Sequence, residues 1–236
     1  MWLRDKLAYF FKALFDFLFP PICLGCDKEI ETGLICYQCA NQISTSALGV
    51  CARCGYPLKY YESCKNCRTD VILPRTRALG GYTEPFSPLI HALKYQGKQS
   101  LAKIFSKGLT GLLNSDPILK QADAIIPIPL HPARQRERGY NQTELLGLEL
   151  SRQTCIPIIN ALKRKKNTKS QTTLNPAKRQ ENMRGAFVVK NSSLVLNKKV
   201  ILIDDVMTSG ATISSAAQTL LNAGVYEVYG LVVARA

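Results

Sequence analysis

The stretch VILIDDVMTSGATI, residues 200–213, decides the fold of the larger part of this chain. Val200 to Ile203 form an unbroken apolar run, the pattern of a strand covered on both faces, and such strands belong to mostly parallel sheets. Asp204 and Asp205 then stand at its carboxyl end, and ISSAAQTLLNAG (213–224) follows as a helix stopped by Gly224. Ligands of open parallel sheets sit at the carboxyl ends of the strands, so this turn is a candidate site. Unpaired N–H groups of residues 208–212 at a helix N-terminus, helped by Gly210, make a nest for an anion, with hydroxyls from Thr208, Ser209 and Thr212. A phosphate laid directly on two carboxylates is repelled. A phosphorylated ribose satisfies both halves: its phosphate takes the nest and its hydroxyls donate to the acids.

Rival readings explain less. A Walker A loop requires G-x-x-x-x-G-K-[ST], and no such run occurs. A carboxylate metal site leaves the nest without purpose, and an acidic turn that merely caps a helix leaves the doubled acid unexplained.

Outward from this stretch, strands and helices alternate. TRALGGY (76–82) reads as a strand, PFSPLIHALKY (85–95) and residues 98–113 as helices, and ADAIIPIPL (122–130) as a buried strand. NQTELLGLELSRQ starts a helix at Asn141, with Glu144 completing an Asn-x-x-Glu capping box. Short strands are expected at 156–159 and 198–204, and a final one at 225–235. The expected class is α/β with a mostly parallel sheet. Residues 163–184 carry eight Lys/Arg against one acid and few apolar side chains, which predicts a mobile basic loop. Such a loop serves either to close over a substrate or to track a single-stranded nucleic acid backbone.

Eight of the nine cysteines form four C-x2-C pairs: Cys23/Cys26, Cys36/Cys39, Cys51/Cys54 and Cys64/Cys67. Two residues between thiolates make a knuckle, and two knuckles close a tetrahedral zinc site. Equal gaps within 23–39 and 51–67 suggest two successive ribbons with structural zinc, although pairing of the first knuckle with the third is also open. Cys155 stands alone and is expected to be an inert core residue.

Leu3, Leu7, Phe11, Leu14 and Leu18 define an apolar helical face that ends before Pro20 and Pro21. It either packs on protein or docks to a partner or a membrane surface. No uncharged apolar run reaches about 18 residues, as a spanning helix requires, and the cytoplasm is the expected compartment. The domains expected are residues 1–20 (amphipathic helix), 21–70 (double zinc ribbon) and 71–236 (the α/β domain). The net charge is +14, and residues 71–236 hold 23 Lys/Arg against 10 Asp/Glu, a surplus that attracts phosphate-rich partners.

VILIDDVMTSGAT resembles the phosphoribosyl pyrophosphate motif of type I phosphoribosyltransferases. With four cysteine knuckles ahead of it, and with LKYQGK (93–98) and IPIPLHPARQRERGYNQTELL (126–146), almost the whole chain resembles the ComF (ComFC) family, associated with DNA uptake in natural competence. The glutamine-hydrolysing domain of amidophosphoribosyltransferases has no counterpart here. The resemblance implies that Asp204 and Asp205 hold the ribose hydroxyls and that Thr208, Ser209, Gly210, Ala211 and Thr212 hold the 5′-phosphate. It places the pyrophosphate near Leu130 and His131, with magnesium bridging ligand oxygens. Among Arg134, Arg136 and Arg138, the last is the first choice for the leaving group's charge. Lys94 is either a cation at a helix C-terminus or a ligand contact, and His91 and His131 read as structural. The implied function is phosphoribosyl pyrophosphate binding in DNA uptake or single-stranded DNA handling, with competence proteins or the inner membrane face as further partners. The alternative is an active magnesium-dependent transferase in which a nitrogen nucleophile displaces pyrophosphate.

Overall fold

Side chains on a strand alternate between faces, so an apolar run must find cover on both sides. In the computed structural model, which describes residues 20–44, 50–51, 53–56, 58, 64, 67, 72–166 and 183–236, that cover is present. Four strands, β1 (Thr76–Gly81), β2 (Ala124–Pro127), β5 (Lys199–Met207) and β6 (Glu227–Arg235), form one parallel sheet in the order β1-β6-β5-β2. A separate antiparallel pair joins β3 (Leu162–Arg164) to β4 (Phe187–Val189).

Ile201, Ile203, Tyr229 and Leu231 enter one core with the helices α2 (Phe86–Tyr95), α3 (Leu101–Ser115) and α5 (Gln142–Thr154). Val200, Leu202, Val228 and Val232 enter the other, with α6 (Ala211–Leu221) and residues of the β3–β4 pair. Ser106 is fully buried where α3 meets α5, and its hydroxyl donates to the Leu146 carbonyl at 3.0 Å. That bond satisfies a polar group that would otherwise cost stability in a dry contact.

The first cysteine ribbon sits on the same core. Ile43 of α1 (Tyr37–Ser44) is buried against α3, and Leu24, Leu34 and Ile35 pack beside it. The small metal module therefore shares apolar cover with the larger domain, which a segment of its size needs.

Several expectations change. Residues 156–159 give only a parallel bridge, Ile125 with Ile158, because Pro157 has no N–H with which to extend a ladder. The stretch after IPIPL, where the resemblance places the pyrophosphate-binding loop, forms the short helix α4 (Pro132–Arg138): Pro132 is preset for the first turn, and His131 Nδ1 accepts from the Ala133 N–H at 3.2 Å. Asn141 caps α5 through the Thr143 N–H, but Glu144 accepts from Asn160 at 2.9 Å instead of closing a capping box. Cys155 is exposed rather than buried, since it closes α5 in the left-handed region with φ 60°. His91, expected in the packing, is exposed and lies against Tyr95 with ring centroids 4.9 Å apart. Lys163 and Arg164 belong to β3 rather than to a loop. The amphipathic segment 1–19 and the middle of the basic segment, 167–182, lie outside the described residues.

Two glycines of α3 test the packing of ribbon on helix. A Cβ on Gly108 would meet the Ile43 carbonyl oxygen at 2.5 Å, whereas one on Gly111 would meet nothing within 4 Å. Gly108→Ala is expected to destabilise the protein by about 1–3 kcal/mol. Gly111→Ala is expected to stabilise it by up to ~1 kcal/mol, since alanine is the better helix former. Urea unfolding of the two variants checks both signs.

Candidate functional site

The ladder between β5 and β2 ends at Ile203 with Pro127, while the ladder between β5 and β6 continues to Met207 with Arg235. Asp204 is therefore the first residue of β5 with no β2 partner, and the strand carries both acids along an opened edge. Alternation separates them. Asp204 follows the parity of Val200 and Leu202 toward the α6 side, and Asp205 that of Ile201 and Ile203 toward α2 and α5.

Asp205 is buried and fully engaged. Its carboxylate meets Lys94 Nζ at 2.7 Å and accepts from Gln142 Nε2 at 2.5 Å. Burial works to discharge the Lys94 ammonium, and the Asp205 and Asp204 carboxylates more than offset it, so its pKa is raised. Lys94 thus does more than complement a helix end: it neutralises the buried acid. Gln142 passes the connection on, since its Oε1 accepts from Arg138, whose guanidinium lies 4.9 Å over the Tyr95 ring. Tyr140 donates its hydroxyl to the Leu93 carbonyl and so fastens the end of α2 to the start of α5.

Asp204 is half-buried. Burial, then the adjacent Asp205 charge, push its carboxyl up to about 7, against the pull of Lys94 and Arg164 toward the ionised form. Its hollow is lined by Val206, Met207, Thr208, Gly210, Ala211, Thr212 and Ile213. Gly210 has φ 79°, a left-handed turn that glycine adopts without strain, and it stands immediately before α6. The predicted acid and the predicted nest therefore face one space.

A second hollow of about 450 Å³ is lined by Lys94, Tyr95, Gly97, Arg134, Glu137, Arg138 and Tyr140. Lys94 lines this basic pocket and also holds Asp205. Arg136 is exposed and does not line it. Leu130 is half-buried and His131 caps α4, so neither is brought into this pocket. Gln142 is not foreseeable from the chain. Its place in the first turn of a helix is visible in the sequence, but nothing there joins it to an acid on another element.

The cysteines form two sequential groups, Cys23/Cys26/Cys36/Cys39 and Cys51/Cys54/Cys64/Cys67, with the ligand sulfurs of each within 4.8 Å of one another. Cross-bracing of the first knuckle with the third is thereby excluded. Sulfur pairs lie at 3.7 Å for Cys23–Cys39 and Cys26–Cys36, 3.8 Å for Cys51–Cys67 and 3.5 Å for Cys54–Cys64. A zinc–sulfur bond of ~2.3 Å in a tetrahedron gives an edge of ~3.8 Å, so the spacing fits zinc and is too long for disulfides. The acid–base chemistry agrees. Burial opposes ionising Cys51, but N–H groups of Cys54 and Arg53 bring it to about 7, while burial pushes Cys54 up to about 12. A central dication removes that conflict, because ligand cysteines bind as thiolates.

Comparison with known proteins agrees with both halves. Residues 14–68 match a family model described as a double zinc ribbon domain, and residues 146–235 one described as a phosphoribosyl transferase domain. Competence protein F of Haemophilus influenzae is 34% identical over 229 residues, covering 91% of this chain and 96% of its own. The chain belongs to the ComF family. Competence protein ComFC of Bacillus subtilis is 27% identical over 86% of this ComF chain and 90% of its own. DNA utilization protein YhgH of Escherichia coli K12 is 30% identical over 87% and 92%. A solved glutamine phosphoribosylpyrophosphate amidotransferase from Bacillus subtilis aligns at 20% identity with a TM-score of 0.38, covering 57% of this chain and 26% of that one. Among the described residues no helix is long and apolar enough to cross a membrane.

The raised Asp204 pKa carries a sign. A carboxyl whose folded pKa exceeds its unfolded value favours the fold when protonated, and that contribution is lost as pH rises through about 7. Asp204→Asn is expected to match the parent near pH 4 and to melt roughly 2 °C or more higher at pH 8. Thermal scans at the two pH values check this.

Proposed function

We propose that this ComF protein binds phosphoribosyl pyrophosphate in the crevice beyond β2 and serves DNA uptake or single-stranded DNA handling in transformation. The observation that carries the reading is the shared space of Asp204 and the Gly210 turn, with a basic pocket reached through Lys94. In this assignment Thr208, Ser209, Gly210, Ala211 and Thr212 take the 5′-phosphate at the start of α6. Asp204 and Asp205 accept from the ribose hydroxyls. A hydroxyl on Asp205 frees Lys94 to join Arg138 and Arg134 on the pyrophosphate, where three cations offset its charge. Magnesium, held mainly by ligand oxygens, supplies further charge neutralisation there. Residues 71–236 act as the phosphoribosyl domain, 21–70 as its zinc-bound module, and 1–20 as a docking segment for competence proteins or the inner membrane face in the cytoplasm.

The ends of the basic segment support the ligand reading. Arg164 acts on the Asp204 charge, Lys166 Nζ donates to the Arg184 carbonyl at 2.6 Å, and the Met183 carbonyl accepts from Ser215 of α6 at 2.6 Å. Of the residues that flank 167–182, Arg164 therefore stands near the acid and Met183 against α6. The same cations suit a single-stranded backbone, and the competence and DNA utilization names of the relatives favour that use.

Calorimetry with phosphoribosyl pyrophosphate and magnesium is expected to show binding to the parent that tightens as pH rises through about 7, when Asp204 ionises. The Asp204→Asn/Asp205→Asn variant should lose at least ~10-fold in affinity, since hydrogen bonds to charged groups are being removed. Unchanged affinity moves the site elsewhere. Pyrophosphate release on adding ammonia or a nucleobase establishes the transferase alternative, and binding without release removes it. Changing Lys163, Lys165 and Lys166 to Gln is expected to lower the salt slope of single-stranded DNA binding by ~0.7 for each phosphate no longer neutralised.

A further inference from the structure

Arg235 ends β6 with its side chain almost fully enclosed, 4% exposed. One guanidinium nitrogen, Nη1, shares its two N–H groups among three carbonyls: Met207 at 2.8 Å, Ala236 at 2.6 Å, and Thr208. Two of these carbonyls, Met207 and Thr208, lead directly into the anion loop. The guanidinium also lies beside the second cysteine ribbon, at Tyr56, two residues after Cys54. It lies 5.8 Å over the Tyr56 ring, and its buried Nε has no hydrogen-bond partner among the described residues. Burial holds its pKa below the usual guanidinium value, with Cys54, Tyr56 and Cys64 working the other way.

The same ribbon is fastened to the sheet nearby. The Thr76 N–H donates to the Arg53 carbonyl at 2.7 Å, and Arg77 Nη1 donates to the Cys51 carbonyl at 3.4 Å. A zinc ion with four thiolates carries a net charge of about −2. A buried guanidinium close to such a cluster, with its Nε–H unpaired among the described residues, supplies charge balance. Among the described residues the first ribbon has no corresponding link to the loop: it rests on α3 and α2 through Ile43 and Gly25.

We propose that Arg235 is a positioning residue that couples the second zinc ribbon to the anion loop, so that metal held by Cys51, Cys54, Cys64 and Cys67 fixes Met207 and Thr208 for a phosphate ligand. With the thiolates charged, the guanidinium is drawn against them and its other edge holds the two carbonyls. Without them the buried charge loses its partner, and the turn between β5 and α6 loosens. The ligand half of this statement rests on the assignment of residues 208–212 to a phosphate, but the mechanical half does not.

The test is hydrogen exchange of the full chain, read at the amides of residues 207–213 and at 200–204 as an internal standard, together with zinc counted per chain. Cys54→Ser/Cys64→Ser is expected to lose one zinc and to exchange faster at 207–213 by about tenfold, the scale of a broken charged hydrogen bond. Cys26→Ser/Cys36→Ser also loses one zinc, but leaves 207–213 as in the parent. Arg235→Ala keeps both zincs, exchanges fast at 207–213 from the outset, and shows no further change when the second-ribbon cysteines are also replaced. Arg235→Lys, which keeps the buried charge but cannot span both edges, gives the same cycle with a smaller amplitude if the alanine variant loses protection at 200–204. An anion loop in Arg235→Lys or Arg235→Ala that is as protected as the parent's, or still as sensitive to the second ribbon, overturns the proposal. Phosphoribosyl pyrophosphate titrated into the same variants separates the two claims: coupling seen by exchange with no binding to any form leaves Arg235 in its role and removes the ligand assignment.

Discussion

The unequal length of two ladders governs this molecule: β5 stays paired with β6 to Met207 but leaves β2 at Ile203. Strand pairing holds the backbone of Asp204 and Asp205 rigid, while the missing neighbour opens space beside them. An acid held rigid beside a hollow, as Asp204 is, is a pre-organised group, because the protein has already met the cost of ordering it.

Charge balance around that edge is incomplete. Asp205 has Lys94 and Gln142, and Gln142 leads to Arg138, so the buried acid is satisfied through three residues on three helices. Among the described residues Asp204 has no such direct cation and sits near pKa 7, an unfavourable state for the fold at neutral pH and a favourable one for a hydroxyl donor. Asp116 shows the opposite arrangement. It takes Arg75 at 2.8 Å and Arg77 at 2.9 Å, and although its burial works the other way, those guanidiniums hold its carboxyl below the usual range. The contrast is between an acid whose charge the fold neutralises, Asp116, and one whose charge it opposes, Asp204.

Much of this is legible in the sequence because it depends on local chemistry. The VILI run, the glycine turn and the cysteine spacing specify strand, helix-entry turn and metal geometry through neighbours a few residues apart. The connections that complete the site are long-range and are not legible. Lys94 meets Asp205, Gln142 bridges to Arg138, and Arg235 reaches from the second ribbon to Thr208, all through tertiary placement. Local departures have local causes: Pro157 truncates a strand, and Pro132 with His131 turns a loop into a helix. Cys155 escapes the core because a residue's identity says little about a left-handed helix end.

The sharpest measurement compares ribose 5-phosphate with its 2,3-dideoxy analogue by calorimetry on the zinc-loaded protein. If the acids hold the sugar while residues 208–212 hold the phosphate, both ligands bind but the analogue binds about tenfold or more weakly, and that difference vanishes in Asp204→Asn/Asp205→Asn. Equal affinities in the parent protein would contradict the division of the crevice into a sugar-binding acidic edge and a phosphate-binding turn.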